Sequence, residues 1–112
     1  MTQTEKAIDL YSECENANPQ ENMLVPRNHF PGKDVFYSLA AGMILNTYAL
    51  GSFEDDWIPL TEVFKGNDPT MIEIKKVAYE MEKEGFLETK LDSNNNEFIR
   101  WCDDSIYESM KN

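Results

Sequence analysis

The side chains that could do chemistry in this chain of 112 residues are few and scattered. His29 is the only histidine, and no second metal ligand or nucleophile stands near it. The acidic pairs at 55–56 and 103–104 lack the spacing of metal ligands and fall in polar segments, which favours solvated charge over metal binding or acid–base catalysis. Nucleophile-elbow, zinc-protease and phosphate-loop motifs are absent. We therefore expect no enzymatic activity, no metal site and no cofactor.

Cysteines and charge limit the class of protein further. Cys14 and Cys102 are far apart and form no CxxC pair, so we expect two buried or half-buried thiols. The formal net charge of −11 repels phosphate backbones and favours solubility. No apolar run approaches the roughly 20 residues that span a bilayer, and residues 1–6 lack the basic-then-apolar order of a secretory signal. A single-domain cytoplasmic protein without membrane association is the expectation.

The N-terminal third of the chain is predicted to contain one short helix and an extended connector. From Thr2 to Cys14, apolar residues recur at helical spacing. Residues 22–32 then place Pro26 and Pro31 around an apolar stretch, which favours an extended conformation. The helix lies outside the unit described next. It therefore either covers the core of that unit or pairs with a second copy of the chain, and the sequence leaves both open.

The longest apolar segment, residues 35–50, is predicted to be the central helix. Asp34 is placed to cap its start and Gly51 to end it. The sequence predicts a main buried face with a second apolar flank, which indicates a helix covered on more than one side. The main face comprises Phe36, Leu39, Ala40, Met43, Ile44 and Thr47, and the flank comprises Tyr37, Ala41, Leu45 and Tyr48. The acidic run that follows, at 54–56, is expected to be a solvated loop.

Residues 58–101 predict two helices, a tight turn and a β-hairpin. The first helix is expected from about residue 60 to 65, and the second from Pro69 to about residue 84. Asp68 can cap the second helix, and Pro69 suits its first position. Its buried face is predicted to comprise Ile74, Val77, Ala78 and Met81. Gly85 ends it, and turn-forming residues at 92–96 join strands at 87–91 and 97–102.

The stretch Glu80–Glu88 carries an apolar residue, charged residues, a glycine and two apolar residues. It resembles the end of the recognition helix and the start of the wing in winged helix-turn-helix proteins, such as small bacterial regulators of the MarR and PadR type. The resemblance extends from about Asp34 to Trp101. It implies an α+β, mostly helical fold with a winged helix-turn-helix core at 34–102. An extra N-terminal helix and connector occupy 1–33, and a tail at 103–112 can form a short C-terminal helix.

In that superfamily the third helix enters the major groove and the hairpin loop contacts phosphate or the minor groove. The resemblance therefore implies contacts to double-stranded DNA from Thr70, Lys75, Lys76 and Tyr79 on the helix and from Lys90, Asn94, Asn95, Asn96 and Arg100 on the wing. Lysine and arginine would contact phosphates, and the other side chains base edges or sugars. The leading hypothesis is a homodimeric DNA-binding protein that regulates transcription or serves a related phage- or plasmid-type process. Its N-terminal helix and tail would be the pairing elements.

The charge distribution leaves an alternative open. Residues 69–101 hold five basic and seven acidic residues, so that segment carries −2 and the remainder −9. This is a relative concentration of basic residues, but not a strong basic patch. The alternative is an acidic winged-helix module that binds protein, as an adaptor or as an inhibitor that imitates DNA. On that reading Lys76 pairs with Glu80 on a solvated helix face, and Asn94–Asn96 form a turn. A continuous positive surface over the third helix and wing would favour DNA, whereas an acidic or apolar one would favour a protein.

Overall fold

The computed structural model describes residues 2–17, 26, 29–51 and 53–110. Within them the chain is α+β, with five α-helices and a three-stranded antiparallel sheet. The helices are α1 (Gln3–Ala17), α2 (Val35–Leu50), α3 (Leu60–Val63), α4 (Pro69–Lys83) and α5 (Ser105–Met110), and the strands are β1 (Ile58–Pro59), β2 (Leu87–Leu91) and β3 (Glu97–Trp101). A 3-10 turn at Glu54–Asp56 precedes β1. The predicted conformation of residues 22–32 and the burial of Cys14 fall largely outside the described residues.

Helix α2 is the scaffold on which α1, α3 and α4 pack. Asp34 caps it as predicted, since its Oδ1 accepts a hydrogen bond from the Phe36 amide at 2.9 Å. The predicted main face is partly wrong, because Phe36, Leu39 and Met43 are only half-buried. The flank that contains Tyr37, Ala41, Leu45 and Tyr48 is fully buried. Sixteen uncharged residues give no contrast between faces, so the packing of neighbouring helices decides which one is covered.

Gly51 ends α2 as its C-cap, as predicted, but without the left-handed backbone that glycine often adopts there. Its φ of −137° and ψ of −176° are extended. A Cβ at this position would lie 2.7 Å from the Phe53 ring. The residue is therefore glycine because an aromatic ring packs against its backbone.

Helix α4 follows its sequence prediction closely. The Asp68 Oδ1 accepts a hydrogen bond from the Met71 amide at 2.9 Å, and Pro69 occupies the first turn. Its buried residues are Ile74, Val77, Ala78 and Met81, as predicted. Gly85, with a φ of +87°, then turns the chain into β2. Helix α3 is shorter than expected and ends at Val63.

The sheet has the strand order β1-β3-β2 and two unlike faces. Leu87 lies opposite Trp101, and both are buried on the inner face, towards the helices. The outer face carries Glu88, Lys90, Phe98 and Arg100, because side chains alternate along a strand. Asp92 stabilises the turn of the β2–β3 hairpin by accepting hydrogen bonds from the Asn94 and Asn96 amides, at 2.8 and 2.9 Å.

The terminal helices belong to the same core. Ala7 and Leu10 of α1 and Ile106 and Tyr107 of α5 are all buried in it. Gln3 joins the two helices: its Oε1 accepts a hydrogen bond from the Tyr107 hydroxyl, and its Nε2 donates to Asp104 at 2.7 Å. Lys6 forms an ion pair with the same Asp104 at 2.9 Å. Helix α1 therefore covers the core of its own chain. Among the described residues, none of the helices combines the length and apolar character needed to cross a membrane.

The acidic run at 54–56 is not simply solvated, because Asp56 caps α1 across the chain. Its carboxylate accepts hydrogen bonds from the Gln3 amide at 2.9 Å and from the Thr4 amide at 3.3 Å. The backbone carbonyl of Asp56 accepts a further bond from the Tyr48 hydroxyl at 2.6 Å. The same hydroxyl accepts one from the Trp101 amide at 3.0 Å. The turn is thus bound to α1, α2 and β3.

Asp56→Ala should destabilise the protein more than Asp55→Ala. Both residues have left-handed backbones, with φ of 65° and 53°, so alanine adds similar strain at each. Only Asp56 caps a helix, and its loss should lower the free energy of unfolding by a further ~1 kcal/mol. Urea denaturation followed by circular dichroism measures the difference. Equal losses in the two variants would contradict the capping role.

Candidate functional site

An open groove of about 260 Å³ lies between α4 and the far end of the β2–β3 hairpin. Its lining residues are Tyr79, Thr89, Lys90, Leu91 and Glu97. The Leu91 side chain is 61% exposed and Tyr79 is 41% exposed, although both are large and largely apolar. Ile72 lies seven residues before Tyr79 on α4, so it shares that face, and it is 42% exposed. We call this feature the α4–hairpin groove.

One carboxylate, Glu97, lines the groove, and a second, Glu82, lies beside it. The Tyr79 hydroxyl donates to the two carboxylate oxygens of Glu97, at 3.1 and 3.0 Å. The Thr89 hydroxyl donates to Glu82 at 2.7 Å. Partial burial raises the pKa of Tyr79, and the Glu97 carboxylate raises it further. The groove therefore combines exposed apolar side chains with carboxylates, and Lys90 is the cation among its lining residues.

The lysines predicted to contact DNA from α4 both have partners within the chain. The Lys75 ammonium donates to the Gly66 carbonyl at 3.1 Å and to the Asn67 side chain at 3.3 Å, so it bridges the turn before α4. Lys76 pairs with Glu73 at 3.3 Å, and not with Glu80 as predicted. An i,i+3 pair is also a neighbour on the helix surface. Of the basic residues near the groove, Lys83 in the last turn of α4 and Lys90 on β2 form no ion pair within the described residues.

Lys90 and Arg100 lie on the outer face of the sheet, away from α4. Arg100 forms an ion pair with Glu88, its cross-strand neighbour, at 2.7 Å. The hydrogen bond between them raises the pKa of Arg100 and lowers that of Glu88. The Lys90 ammonium lies 4.3 Å from the centre of the Trp57 ring, and the Arg100 guanidinium 4.5 Å from it. The predicted basic residues are thus divided between two surfaces.

The uncharged predicted contacts are accessible. Thr70 is exposed in the first turn of α4, and Asn94, Asn95 and Asn96 are exposed at the hairpin tip. Asn96 also donates to the Asp92 carboxylate at 3.2 Å. Asn95 has a φ of 63°, a conformation that asparagine tolerates, so the turn accounts for part of this sequence.

Sequence reasoning missed three residues that line the groove, namely Thr89, Leu91 and Glu97. Strand alternation offered one usable signal, because it places Leu91 on the same face as the buried Leu87. Trp57 had no such signal, since β1 has two residues and shows no periodicity. In the part of the chain that the structure describes, no group of three or more His, Cys, Asp or Glu side chains could hold a metal ion.

The remaining reactive side chains are held by local contacts. His29 pairs with Asp103 at 2.5 Å, and Asp103 also accepts from the Ser105 amide at 3.2 Å. The acids at 103 and 104 are therefore bound to the protein, contrary to the prediction of solvated charge. Burial raises the pKa of the half-buried Cys102 thiol to about 11, with a further contribution from Glu88. A thiol of this kind is a poor nucleophile at neutral pH.

Replacing Glu97 by Gln should lower the pKa of Tyr79. The carboxylate disfavours the tyrosinate, and glutamine keeps the shape of the side chain without its charge. Titration of ¹³C-labelled tyrosine by NMR measures this pKa. Glu73→Gln removes a carboxylate outside the groove and serves as the control. An unchanged Tyr79 pKa in Glu97→Gln would show that the carboxylate does not occupy the groove in solution.

Cys102 should react slowly with a disulfide reagent in the folded protein. In a Cys14→Ser background at pH 8, we expect a rate on the order of 100-fold below that of the same chain in denaturant, because its pKa of about 11 leaves little thiolate. The rate should rise with pH up to that pKa. Glu88→Gln should accelerate the reaction at pH 8, since Glu88 contributes to the raised pKa. A folded rate equal to the denatured one would contradict the burial of the thiol.

Comparisons of the chain with protein-family models, with curated proteins and with solved structures return no match. Function must therefore be inferred from the chemistry of the exposed surfaces. Of these, the α4–hairpin groove combines the exposed Leu91 side chain with two carboxylates. Glu97 and Glu82 accept hydrogen bonds from the lining residues Tyr79 and Thr89.

Proposed function

We propose that this protein is a winged-helix-type module that binds another protein through the α4–hairpin groove. The order of α2, α3, α4 and the hairpin agrees with the layout that the sequence resemblance implies. The observation that carries the proposal is the pairing of Glu97 with an exposed Tyr79 in the position where that layout would receive DNA. A carboxylate there favours a protein partner over a phosphate backbone.

Electrostatics support this choice over DNA binding. Two like unit charges 4 Å apart repel by about 1 kcal/mol even in water, and by more near a protein surface. A phosphate in the groove would meet the Glu97 carboxylate within a protein of net charge −11, and Lys90 is the one cation among the described lining residues that could offset it. Lys76 and Arg100 would have to leave their own carboxylates before either could neutralise a phosphate. Because fewer free cations would neutralise phosphates, fewer counterions would be released and the gain in DNA affinity from that release would be smaller.

The groove indicates the chemistry of the partner. Tyr79, Leu91 and Ile72 offer apolar contact area, and tyrosine is among the residues that contribute most to protein interfaces. Glu97 lines that area and Glu82 lies beside it, hydrogen-bonded to Thr89, so both add negative charge. A complementary partner would insert an apolar side chain between α4 and the hairpin and place basic residues around it.

DNA binding is the second candidate. The exposure of Thr70, Asn94 and Asn95 at the start of α4 and at the hairpin tip supports it, because amide and hydroxyl groups can reach base edges. A homodimer that binds DNA would have to use surfaces other than the apolar faces of α1 and α5. Those faces pack within the chain's own core.

Leu91→Glu should abolish partner recovery, whereas Leu50→Glu should not. Both leucines are exposed, but Leu50 lies at the end of α2, outside the groove. We expect a tagged wild-type protein to recover one stoichiometric partner from a lysate of its source organism. Leu91→Glu should reduce recovery at least tenfold, because it adds charge to the apolar part of the groove.

The wild-type protein and the Leu91→Glu and Leu50→Glu variants should show no affinity for a random-sequence DNA duplex in fluorescence anisotropy at low salt. Salt-sensitive duplex binding that is lost in Lys76→Glu and retained in Leu91→Glu would overturn the protein-binding proposal in favour of DNA. Equal recovery of the partner by Leu91→Glu and wild type would show that the partner does not bind in the α4–hairpin groove.

A further inference from the structure

A second groove, of about 350 Å³, lies on the opposite side of the hairpin. It runs between the 3-10 turn and the outer face of the sheet, and its lining residues are Glu54, Asp55, Trp57, Lys90, Asp92 and Phe98. We call it the Trp57 groove. Its volume falls within the range of about 300–1,000 Å³ that is usual for sites binding small groups.

The aromatic floor of this groove already holds a cation from the same chain. The Lys90 ammonium lies 4.3 Å from the centre of the Trp57 ring and 5.7 Å from that of Phe98. Both distances are within the roughly 6 Å over which a ring face attracts a cation. Among the described residues, Lys90 forms no ion pair with a carboxylate, so the rings are its main contact. The surface is therefore suited to an ammonium or guanidinium group.

The rim of the groove carries more negative charge than Lys90 balances. Glu54 and Asp55 are exposed, and neither side chain has a hydrogen bond or ion pair within the described residues. Asp92 accepts amide hydrogen bonds from Asn94 and Asn96, which lower its pKa and keep it ionised. The lining of the groove thus holds three carboxylates and one lysine. The Arg100 guanidinium also lies 4.5 Å from the centre of the Trp57 ring, but its charge is paired with Glu88. The excess charge is complementary to a further cation.

We propose that the Trp57 groove binds an arginine or lysine side chain of a partner protein, which takes the place of Lys90 over the Trp57 ring. The ring would contact the face of the incoming group, and Glu54, Asp55 and Asp92 would neutralise its charge. Lys90 is exposed, and its flexible four-carbon chain allows the ammonium to move into solvent. The site lies on the opposite face of the sheet from the α4–hairpin groove, and Lys90 is the lining residue that the two grooves share.

The two tryptophans make the test direct. Trp101 is 1% exposed and donates its indole N–H to the Asp103 carbonyl at 2.8 Å, so it serves as an internal control. A blocked triarginine peptide is titrated into ¹⁵N-labelled protein, and the two indole N–H signals are followed by NMR. We expect the Trp57 signal to shift to saturation while the Trp101 signal stays in place. The same peptide with citrulline, which is neutral and nearly isosteric, should cause no shift.

Variants matched in net charge separate this site from general attraction to an acidic protein. Lys90→Met should raise the affinity for the peptide at least threefold more than Lys65→Met, which removes an exposed lysine elsewhere. Glu54→Gln combined with Asp55→Asn should lower the affinity at least fivefold. Glu5→Gln combined with Asp9→Asn, on the exposed side of α1, should leave it close to wild type.

Three results would overturn the inference. The first is equal weakening by the two double variants, which would indicate unspecific Coulomb attraction. The second is a peptide-induced shift at Tyr79 with none at Trp57, which would assign the cation to the other groove. The third is equal binding of free 1,5-diaminopentane, which would indicate a site for small organic cations in place of a protein side chain. The dispersion of the NMR spectrum verifies that each variant is folded.

Discussion

The buried hydroxyl of Tyr48 joins the three parts of the fold that position the exposed surfaces. It donates to the carbonyl of the 3-10 turn and accepts from the backbone of β3, so α2, the turn and the sheet meet at one oxygen. Burial raises the pKa of this tyrosine well above its ordinary value, which keeps the hydroxyl protonated and able to donate. A buried polar group left without its partner costs about 1–3 kcal/mol, so the loss of either bond would destabilise the junction of α2 with the turn or with β3. The 3-10 turn also contains Asp56, which caps α1, and Glu54 and Asp55, which line the Trp57 groove.

Local signals predicted a large part of the fold. Helix α4, its cap, its buried face and its terminal glycine follow from residue spacing and conformational preference, and so does the hairpin. These features depend on interactions within a few residues. The predictions failed where distant segments decide the outcome. The buried face of α2 depends on which helices pack against it, and Asp56 on the start of a helix more than 50 residues away.

The candidate sites were less predictable than the fold for the same reason. Residue type and position placed Lys76, Lys90 and Arg100 on the correct elements, but an effective surface charge depends on what lies beside each cation. The Glu88–Arg100 pair requires the register of the hairpin, and the contact between Lys90 and Trp57 requires β1 to lie beside β3. Neither can be obtained from composition. A single chain can therefore carry basic residues at the positions that suggest DNA while presenting surfaces that are acidic and apolar.

The contact between the two terminal helices has a consequence for synthesis of the chain. Gln3 bonds to Asp104 and Tyr107, partners that lie more than 100 residues later in the sequence. On a ribosome, α1 emerges first, yet it lacks these contacts until α5 has also emerged. Closure of so long a loop is an entropic cost that is met late in folding. Helix α1 can pack on α2 before α5 is made, but the hydrogen bonds that join it to α5 are among the last to form.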